Sequence, residues 1–221
     1  MSTVSNTVAP VKLVWSTPDI DGLLAYIARV SNPDNQTNPN IAGLLNHMMK
    51  EGHASPFEMC NVCFELNTTR DIGRQILRHK SLNFQELSQR YQVTSVLEQA
   101  PLRECRLQDN KNRQNSLEND DLHLESWWLE SQAQVRELAE SKYHQALNKG
   151  IAKEQARVLL PEGLTASRIY ANGNMRSWIF YLKQRLHPST QKEHRLLAQE
   201  ILNILRELAP VTMQAFFGEE S

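Results

Sequence analysis

Residues 78–92 of this 221-residue chain read Arg-His-Lys-Ser-Leu-Asn-Phe-Gln-Glu-Leu-Ser-Gln-Arg-Tyr-Gln, directly after a helical pattern. The stretch has neither Gly nor Pro, the residues that favour tight turns, so it is unlike an ordinary surface loop. Four cations, at positions 74, 78, 80 and 90, fall within 17 residues. Guanidinium groups bind phosphate through paired hydrogen bonds, and amides and hydroxyls complete an oxygen shell. The order of residues indicates a site for an anionic, polar ligand, although composition alone favours a solvated basic face.

The overall composition is that of a folded globular protein, with 40% hydrophobic and 22% charged residues and a net charge of −1. Near-neutral charge argues against a protein that coats nucleic acid. No apolar run approaches the roughly 20 residues that span a bilayer. Residues 1–10 lack a charged start followed by an apolar block, so we expect no secretory signal. We therefore expect a cytoplasmic protein with neither membrane nor nucleic-acid partners.

Hydrophobic periodicity predicts a single, mostly helical α+β domain over residues 1–221. Ser16-Thr17-Pro18 is typical of a helix start with a hydroxyl cap, and a second helix should follow Pro39 and end at Gly52. A strand is predicted over 57–66 and a helix over 69–79. Further helices are predicted over 122–148, 152–160, 174–186 and 190–208, a strand or loop over 164–170, and a polar loop over 103–121.

Cys60 and Cys63 form a Cys-x-x-Cys pair without a second pair to complete a zinc site. On the predicted strand, residues three apart point to opposite faces, which disfavours a shared metal or a redox dithiol. We expect core cysteines and no metal. Three cysteines in all, an odd number, do not indicate a disulfide framework.

Five blocks of sequence, in order, resemble the flavin-dependent thymidylate synthase family. The main block is Arg78-His79-Lys80, seven residues, and then Ser88. Each block alone is a weak signal, but together they cover about residues 20 to 215. The other four are residues 28–31 (Ala-Arg-Val-Ser), 52–58 (Gly-His-Ala-Ser-Pro-Phe-Glu), 156–161 (Ala-Arg-Val-Leu-Leu-Pro) and 174–177 (Asn-Met-Arg-Ser), the last followed by Arg185.

The resemblance implies a fold, an assembly and a reaction. The fold would be α+β, mostly helical, with a small antiparallel sheet, and four subunits would build shared active sites. The reaction would methylate dUMP to dTMP, with methylenetetrahydrofolate as carbon donor and NADPH-reduced FAD as hydride source. Two alternatives remain open. The altered segment after Arg185 would suit a related enzyme that hydroxymethylates dUMP, and the basic cluster would suit a non-catalytic nucleic-acid-binding module.

The resemblance also implies residue roles. Arg185, Ser88 and His53 would be catalytic, and a fixed cation at position 185 would stabilise negative charge on the uracil ring as its C5 becomes nucleophilic. Residues implied to hold dUMP are Gln75, Arg78, Glu86, Ser88, Gln89, Arg90, Arg157 and Arg185. Residues implied to hold FAD are Ser31, Ser55, Arg78, His79, Lys80, Glu86, Asn174 and Arg176.

Some positions depart from the family's pattern or fit a simpler explanation. Lys80, Phe180 and Ser189 replace residues that are usual at flavin positions. By residue type alone, His79 fits a packed neutral imidazole equally well. His194 matches no motif, and we expect it to be structural or exposed.

Overall fold

A four-stranded antiparallel sheet and a separate two-stranded hairpin make up the strands of the computed structural model, which describes residues 10–218. The strands are β1 (Val11–Ser16), β2 (Asn61–Thr69), β3 (Asn83–Glu86), β4 (Arg106–Gln108), β5 (Ser116–Glu118) and β6 (Ala166–Asn174). The large sheet has the order β1-β2-β6-β3, and β4 pairs with β5. A single domain over residues 1–221 stays a prediction, and the expectation of no secretory signal concerns residues that lie almost wholly outside the described part.

Eight α-helices surround this sheet within residues 10–218. They are α1 (Ile20–Ala28), α2 (Ala42–Glu51), α3 (Arg70–Ile76), α4 (Leu122–Asn148), α5 (Lys153–Ala156), α6 (Met175–Arg185), α7 (Lys192–Leu208) and α8 (Pro210–Phe217). The predicted class, a mostly helical α+β fold with a small antiparallel sheet, is confirmed. Within the same residues, no helix combines the length and the apolar character needed to cross a membrane.

The main core lies between the sheet and helices α1, α2, α3, α6, α7 and α8. Trp178 is fully buried in it, donates a hydrogen bond from Nε1 to the Val62 carbonyl oxygen (3.0 Å), and meets the Phe64 ring edge-on at 5.0 Å between centroids. The Asn174 side chain caps α6 by accepting from the Ser177 N–H (2.9 Å), so β6 passes directly into α6. This connection carries Trp178 back onto the sheet.

The predicted start of the first helix is wrong. Ser16 belongs to β1, and Asp19 caps α1 instead, with its side chain accepting from the Gly22 N–H at 3.3 Å. Asp19 has φ 45°, a left-handed conformation that the short side chain of aspartate tolerates. The preceding strand was not predicted, because exposed Val14 and Trp15 are adjacent and break the alternation expected of a half-buried strand.

Other boundaries also differ from the sequence prediction: the helix predicted over 69–79 ends at Ile76, and that predicted over 152–160 is α-helical only over Lys153–Ala156. Ser55–Glu58 forms a 3₁₀ turn, so the strand predicted over 57–66 begins at Asn61 and runs on to Thr69. The polar segment 103–121 contains the β4–β5 hairpin rather than loop alone. Its tip is closed by Asp109, which accepts from the backbone N–H groups of Lys111 (2.8 Å) and Asn112 (3.1 Å), a local side-chain contact that hydrophobic periodicity does not register.

Other elements follow the sequence more closely. The long helix α4 has the predicted bounds, and α2 ends at Gly52, whose φ of 71° suits the C-terminal cap. The segment 164–170, left open between strand and loop, divides: Leu164 ends a 3₁₀ turn, and strand β6 begins at Ala166. Strand β3 and helix α8 were not predicted.

The cysteines are core residues, as expected. Cys60 and Cys63 are free and buried, and burial raises the pKa of the Cys60 thiol to about 11. A thiol with this pKa is almost wholly protonated near neutral pH and is a poor nucleophile.

Asp21, buried in the first turn of α1, caps a different helix. Its carboxylate accepts from the backbone N–H groups of Val211 (2.7 Å) and Thr212 (3.1 Å) and from the Thr212 hydroxyl (2.5 Å) at the start of α8. Helix α8 begins at Pro210, and its first N–H groups have no partner inside the helix. Asp21 therefore fastens the C-terminal helix to the first one.

We predict that Asp21→Ala destabilises the protein by about 2–3 kcal/mol, because it leaves buried N–H groups at the start of α8 unsatisfied. Asp21→Asn should cost less, because it retains one acceptor oxygen. Urea unfolding would measure both, with exposed Asp34→Ala as the control, expected to change stability by less than about 0.5 kcal/mol. Equal stabilities for Asp21→Ala and Asp34→Ala would contradict the capping role.

Candidate active site

The Arg78-His79-Lys80 segment forms a tight turn directly after α3. The N–H of His79 donates to the Ile76 carbonyl (3.0 Å), and the N–H of Leu82 donates to the His79 carbonyl (3.1 Å). In this turn His79 points inward and is buried, whereas Arg78 and Lys80 are exposed. The motif therefore presents one cation on each side of a packed imidazole.

The imidazole of His79 is neutral and holds Arg185. Arg185 Nε donates to His79 Nε2 at 2.8 Å, and since a guanidinium only donates, Nε2 must be the unprotonated nitrogen. The Tyr181 ring packs against the same imidazole at 4.7 Å between centroids. Burial, and then the charges of Arg185 and Arg78, lower the pKa of His79 to about 4. The simpler explanation of His79, a packed neutral imidazole, is correct, and it leaves open a role beside the flavin.

Positive charge accumulates at this point without a compensating carboxylate. Burial lowers the pKa of Arg185 and the charge of Arg78 lowers it further, while Tyr181 opposes the shift. The guanidinium still stays charged near neutral pH. Within residues 10–218, neither the Arg78 guanidinium nor the two Nη nitrogens of Arg185 form a hydrogen bond or an ion pair. Two guanidinium groups that repel one another and lack an acidic partner form a site suited to an anion.

Gln75 lies one helical turn before His79, and its amide is already engaged. Nε2 donates to Gln191 Oε1 at 2.8 Å, and Oε1 lies 3.2 Å from His194 Nδ1. His194 is fully buried and also contacts the Tyr181 hydroxyl at 3.0 Å. Sequence reasoning did not single out Tyr181 or His194. The signal for Tyr181 is its spacing from Arg185, which places the two one turn apart on the same face of α6.

Glu86 lies on β3, and its side chain is bonded to other residues of the fold. Ser167 Oγ donates to Glu86 Oε1 at 2.7 Å, and Arg70 Nη1 lies 3.4 Å from the same oxygen. Its carboxylate is therefore already paired, and its implied contacts with nucleotide and flavin stay predictions.

The loop after β3 contains an unpartnered donor. Gln89 is buried, and its Nε2 has no hydrogen-bond partner among the described residues. Buried amide groups are nearly always hydrogen-bonded, so an orphan donor beside the motif is consistent with a missing ligand. The neighbouring Ser88 hydroxyl accepts only from the Arg90 N–H, at 3.3 Å.

Two separate sequence blocks meet at Glu154. Its carboxylate lies 3.4 Å from Arg90 Nε, and its carbonyl oxygen accepts from Arg157 Nε at 3.3 Å. Lys153 Nζ also donates to the Tyr91 carbonyl (2.9 Å). The structure thus brings two predicted nucleotide residues, Arg90 and Arg157, to the same place, through a glutamate that the sequence did not identify.

The predicted flavin residues are less closely connected to one another than the predicted nucleotide residues Arg90 and Arg157. Arg176 is paired with Glu58, which joins the 3₁₀ turn of Ser55 to the start of α6, and the side-chain Oδ1 of Asn174 is used in capping. Ser31 and His53 are exposed. Within the described residues, no hydrogen bond, ion pair or ring contact joins Ser31 or His53 to the Arg185–His79 pair.

The buried histidines predict a pH dependence of stability. The pKa values of His79 (about 4) and His194 (about 3) lie below the ordinary 6.5, so the unfolded chain binds protons that the folded protein does not. Stability should therefore fall as pH drops below 6.5, by up to about 1.4 kcal/mol per pH unit for each histidine. His194→Asn removes one of these groups and should lose up to about 2 kcal/mol less between about pH 7 and pH 5.

Urea unfolding at the two pH values would measure this difference. His123→Asn, on the exposed part of α4, is the matched control and should keep the wild-type dependence. The same pH dependence in His194→Asn and wild type would show that His194 is not held neutral by burial.

Comparison with known proteins identifies the family. Residues 12–211 match the family model of the thymidylate synthase complementing protein. The chain is 47% identical over 195 residues to the flavin-dependent thymidylate synthase of Synechocystis sp., covering 88% of each chain. It is 44% identical over 194 residues to the probable flavin-dependent thymidylate synthase of Paramecium bursaria Chlorella virus 1, covering 87% of this chain and 88% of the viral one.

Among solved structures, the fold is similar to that of PolB, a UMP/dUMP methylase from Streptomyces cacaoi bound with 5-Br dUMP. The TM-score is 0.81 at 28% identity, and 93% of each chain is covered. The similarity in sequence and the similarity in fold both agree with the order of the motif blocks. The chain belongs to the thymidylate synthase complementing protein family, whose curated relatives are flavin-dependent thymidylate synthases.

Proposed function

We propose that the protein methylates dUMP to dTMP, with FAD as cofactor and with NADPH and methylenetetrahydrofolate as co-substrates. The observation that supports this most directly is the Arg185 guanidinium, held by a neutral His79 beside a second cation, Arg78, without a carboxylate to neutralise them. A mononucleotide would supply the missing negative charge. The 5-Br dUMP bound to PolB shows that a protein of similar fold accepts a uracil mononucleotide.

The nucleotide would lie across the turn after α3 and the loop after β3. Arg78, Arg90 and Arg157 would bind its phosphate, and the unpartnered Gln89 Nε2 would regain a hydrogen bond. Salt bridges now hold some of these groups, among them Arg90 with exposed Glu154, and exposed pairs are weak enough for a phosphate to displace. Proposed dUMP contacts are Gln75, Arg78, Glu86, Ser88, Gln89, Arg90, Arg157 and Arg185.

The residues of this chain also fit FAD. Arg78 and Lys80 are exposed cations suited to its pyrophosphate, and the buried, neutral His79 between them adds no further charge. When bound, FAD would supply the hydride of the reaction, with NADPH as its source. Proposed FAD contacts are Ser31, Ser55, Arg78, His79, Lys80, Glu86, Asn174 and Arg176.

We further propose a cytoplasmic homotetramer with shared active sites. One chain leaves Ser31 and His53 without a contact to the Arg185–His79 pair, so a site that used all the predicted residues would need more than one subunit. His53 would then approach flavin and folate from a neighbouring copy.

The chemical role of Arg185 follows from its placement. As C5 of uracil attacks the methylene carbon of the folate, negative charge develops on the N3/O4 side of the ring, and a fixed guanidinium there lowers the barrier. The hydrogen bond to His79 uses Nε and leaves both Nη nitrogens for the ring. Ser88, whose hydroxyl is held only by the Arg90 N–H, would hydrogen-bond the bound nucleotide.

The function predicts a defined assay result. The purified protein, loaded with FAD, should release tritium from C5-labelled dUMP only when NADPH and methylenetetrahydrofolate are both present, and mass spectrometry should identify dTMP. Because PolB is a UMP/dUMP methylase, UMP should be tested in parallel. A hydroxymethylated product would support the related reaction instead, and an FAD-loaded protein inert towards both nucleotides would contradict the proposal.

Arg185 variants would test the catalytic role. Arg185→Ala should lower kcat by about 10²–10³-fold, because it removes a charge placed where the transition state becomes negative. Arg185→Lys should recover only part of this, because a lysine cannot both donate to His79 and present a planar pair of donors. Arg113→Ala, an exposed arginine near the tip of the β4–β5 hairpin, is the control and should keep full activity. Wild-type kcat in Arg185→Ala would refute the role.

A further inference from the structure

Five side chains link helices α6, α7 and α3 through one continuous series of hydrogen bonds. The Tyr181 hydroxyl contacts His194 Nε2 at 3.0 Å, and His194 Nδ1 contacts Gln75 Oε1 at 3.2 Å. Gln75 Nε2 then donates to Gln191 Oε1 (2.8 Å), and Gln191 Nε2 donates to Glu193 Oε2 (2.9 Å). Tyr181 and His194 are both fully buried.

The carboxylate at the end of this series sets its direction. Glu193 can only accept, and Arg106 Nη2 holds its other oxygen at 2.5 Å. Gln191 must therefore direct its N–H groups at Glu193 and its oxygen at Gln75. Gln75 in turn directs an N–H at Gln191 and its own oxygen at His194, which fixes the proton of His194 on Nδ1.

The other end of the series agrees with this direction. Burial, then the charges of Arg185 and His79, lower the pKa of His194 to about 3, so the ring is neutral and Nε2 is free to accept. Burial raises the pKa of Tyr181, so its phenol keeps the proton that it donates to His194. At each contact of the series, one donor therefore faces one acceptor. Reversing the Gln75 amide would place its oxygen against the Gln191 oxygen, and its N–H groups against the protonated Nδ1 of His194.

This orientation matters because Gln75 lies beside the cations of the proposed nucleotide site. One N–H of Gln75 is used by Gln191, and the second remains for a ligand. Tyr181 contacts both halves of the site, since its hydroxyl leads to His194 and Gln75 while its ring packs on His79, the partner of Arg185.

We propose that His194 is a positioning residue that holds the Gln75 amide in the orientation set by Gln191 and Glu193, and so strengthens binding of the nucleotide but not of the flavin. The inference rests on the proposed function, because it concerns the same dUMP site. His194 itself does not touch the ligand. It acts through Gln75, and Tyr181 holds it in the required tautomer.

Three variants test this role. His194→Leu removes both hydrogen bonds, His194→Asn keeps a donor near the position of Nδ1, and Tyr181→Phe removes only the hydroxyl. With FAD-loaded enzyme, titration calorimetry should show dUMP binding weakened about tenfold in His194→Leu and less in His194→Asn, matching the loss of about one hydrogen bond. The Kd of FAD, from flavin fluorescence, should stay within about twofold of wild type.

A double-mutant cycle separates positioning from a general structural effect. In a Gln75→Ala background, His194→Asn should cause no further loss of dUMP affinity, because the residue through which it acts is absent. Exposed His123→Leu is the matched control and should bind dUMP as the wild type does. If His194→Leu does not fold, His194→Asn and Tyr181→Phe provide the same comparison.

The possible results are distinct. Equal losses from His194→Asn with and without Gln75, or unchanged dUMP affinity in all folded variants, would overturn the positioning role and leave the proposed function standing. A wild-type enzyme that binds no dUMP would remove both.

Discussion

The hydrogen bond from Arg185 Nε to His79 Nε2 is the contact on which the arrangement of the site depends. It forms only while the imidazole is neutral, and burial ensures this by lowering the pKa of His79. The neighbouring cations lower the same pKa, so the charges that would attract a ligand also keep His79 in the state that holds Arg185. The cluster of positive charge and the position of Arg185 are therefore coupled through one imidazole.

The turn that carries His79 is fixed on α6 by packing as well as by this bond. Ser177 Oγ donates to the Ser81 carbonyl (3.0 Å), and Leu82 packs over Gly173, where an added Cβ would lie 2.2 Å from Leu82 Cδ2. Glycine at this position leaves the space that the Leu82 side chain occupies. The passage from β6 into α6 therefore does two things: it closes the core through Trp178 and provides the surface on which the Arg-His-Lys turn rests.

The sequence predicts the family, the fold class and the helices with regular apolar spacing, because motif order and periodicity are local properties. Helix α8 escapes prediction because a tertiary contact with Asp21 stabilises its start, whereas β1 and the β4–β5 hairpin lack the regular alternation of apolar residues on which strand prediction relies. The site follows the same division. Arg78, His79 and Arg185 can be read from a motif, whereas Tyr181, His194 and Glu154 gain their importance from contacts with residues distant in the chain. The paired state of Arg176 and Glu58 likewise joins two blocks that the sequence shows only as separate segments.

The distribution of acidic residues explains how a chain with a net charge of −1 presents a basic site. Several carboxylates near the motif are committed to arginines that face other parts of the structure: Glu86 to Arg70, Asp71 to Arg103, Glu162 to Arg74 and Glu193 to Arg106. These pairs spare Arg78 and Lys80, which keep their charge for a ligand. A polyanion such as nucleic acid gains affinity from a long series of such free cations, whereas a small cluster of cations suits a compact ligand that carries its charge in one phosphate group.

The same kind of pairing includes Glu193, whose bond to Arg106 fixes the direction of the hydrogen bonds that reach Gln75. Acid–arginine pairs remote from the ligand therefore shape both the charge of the site and the orientation of its neutral donors.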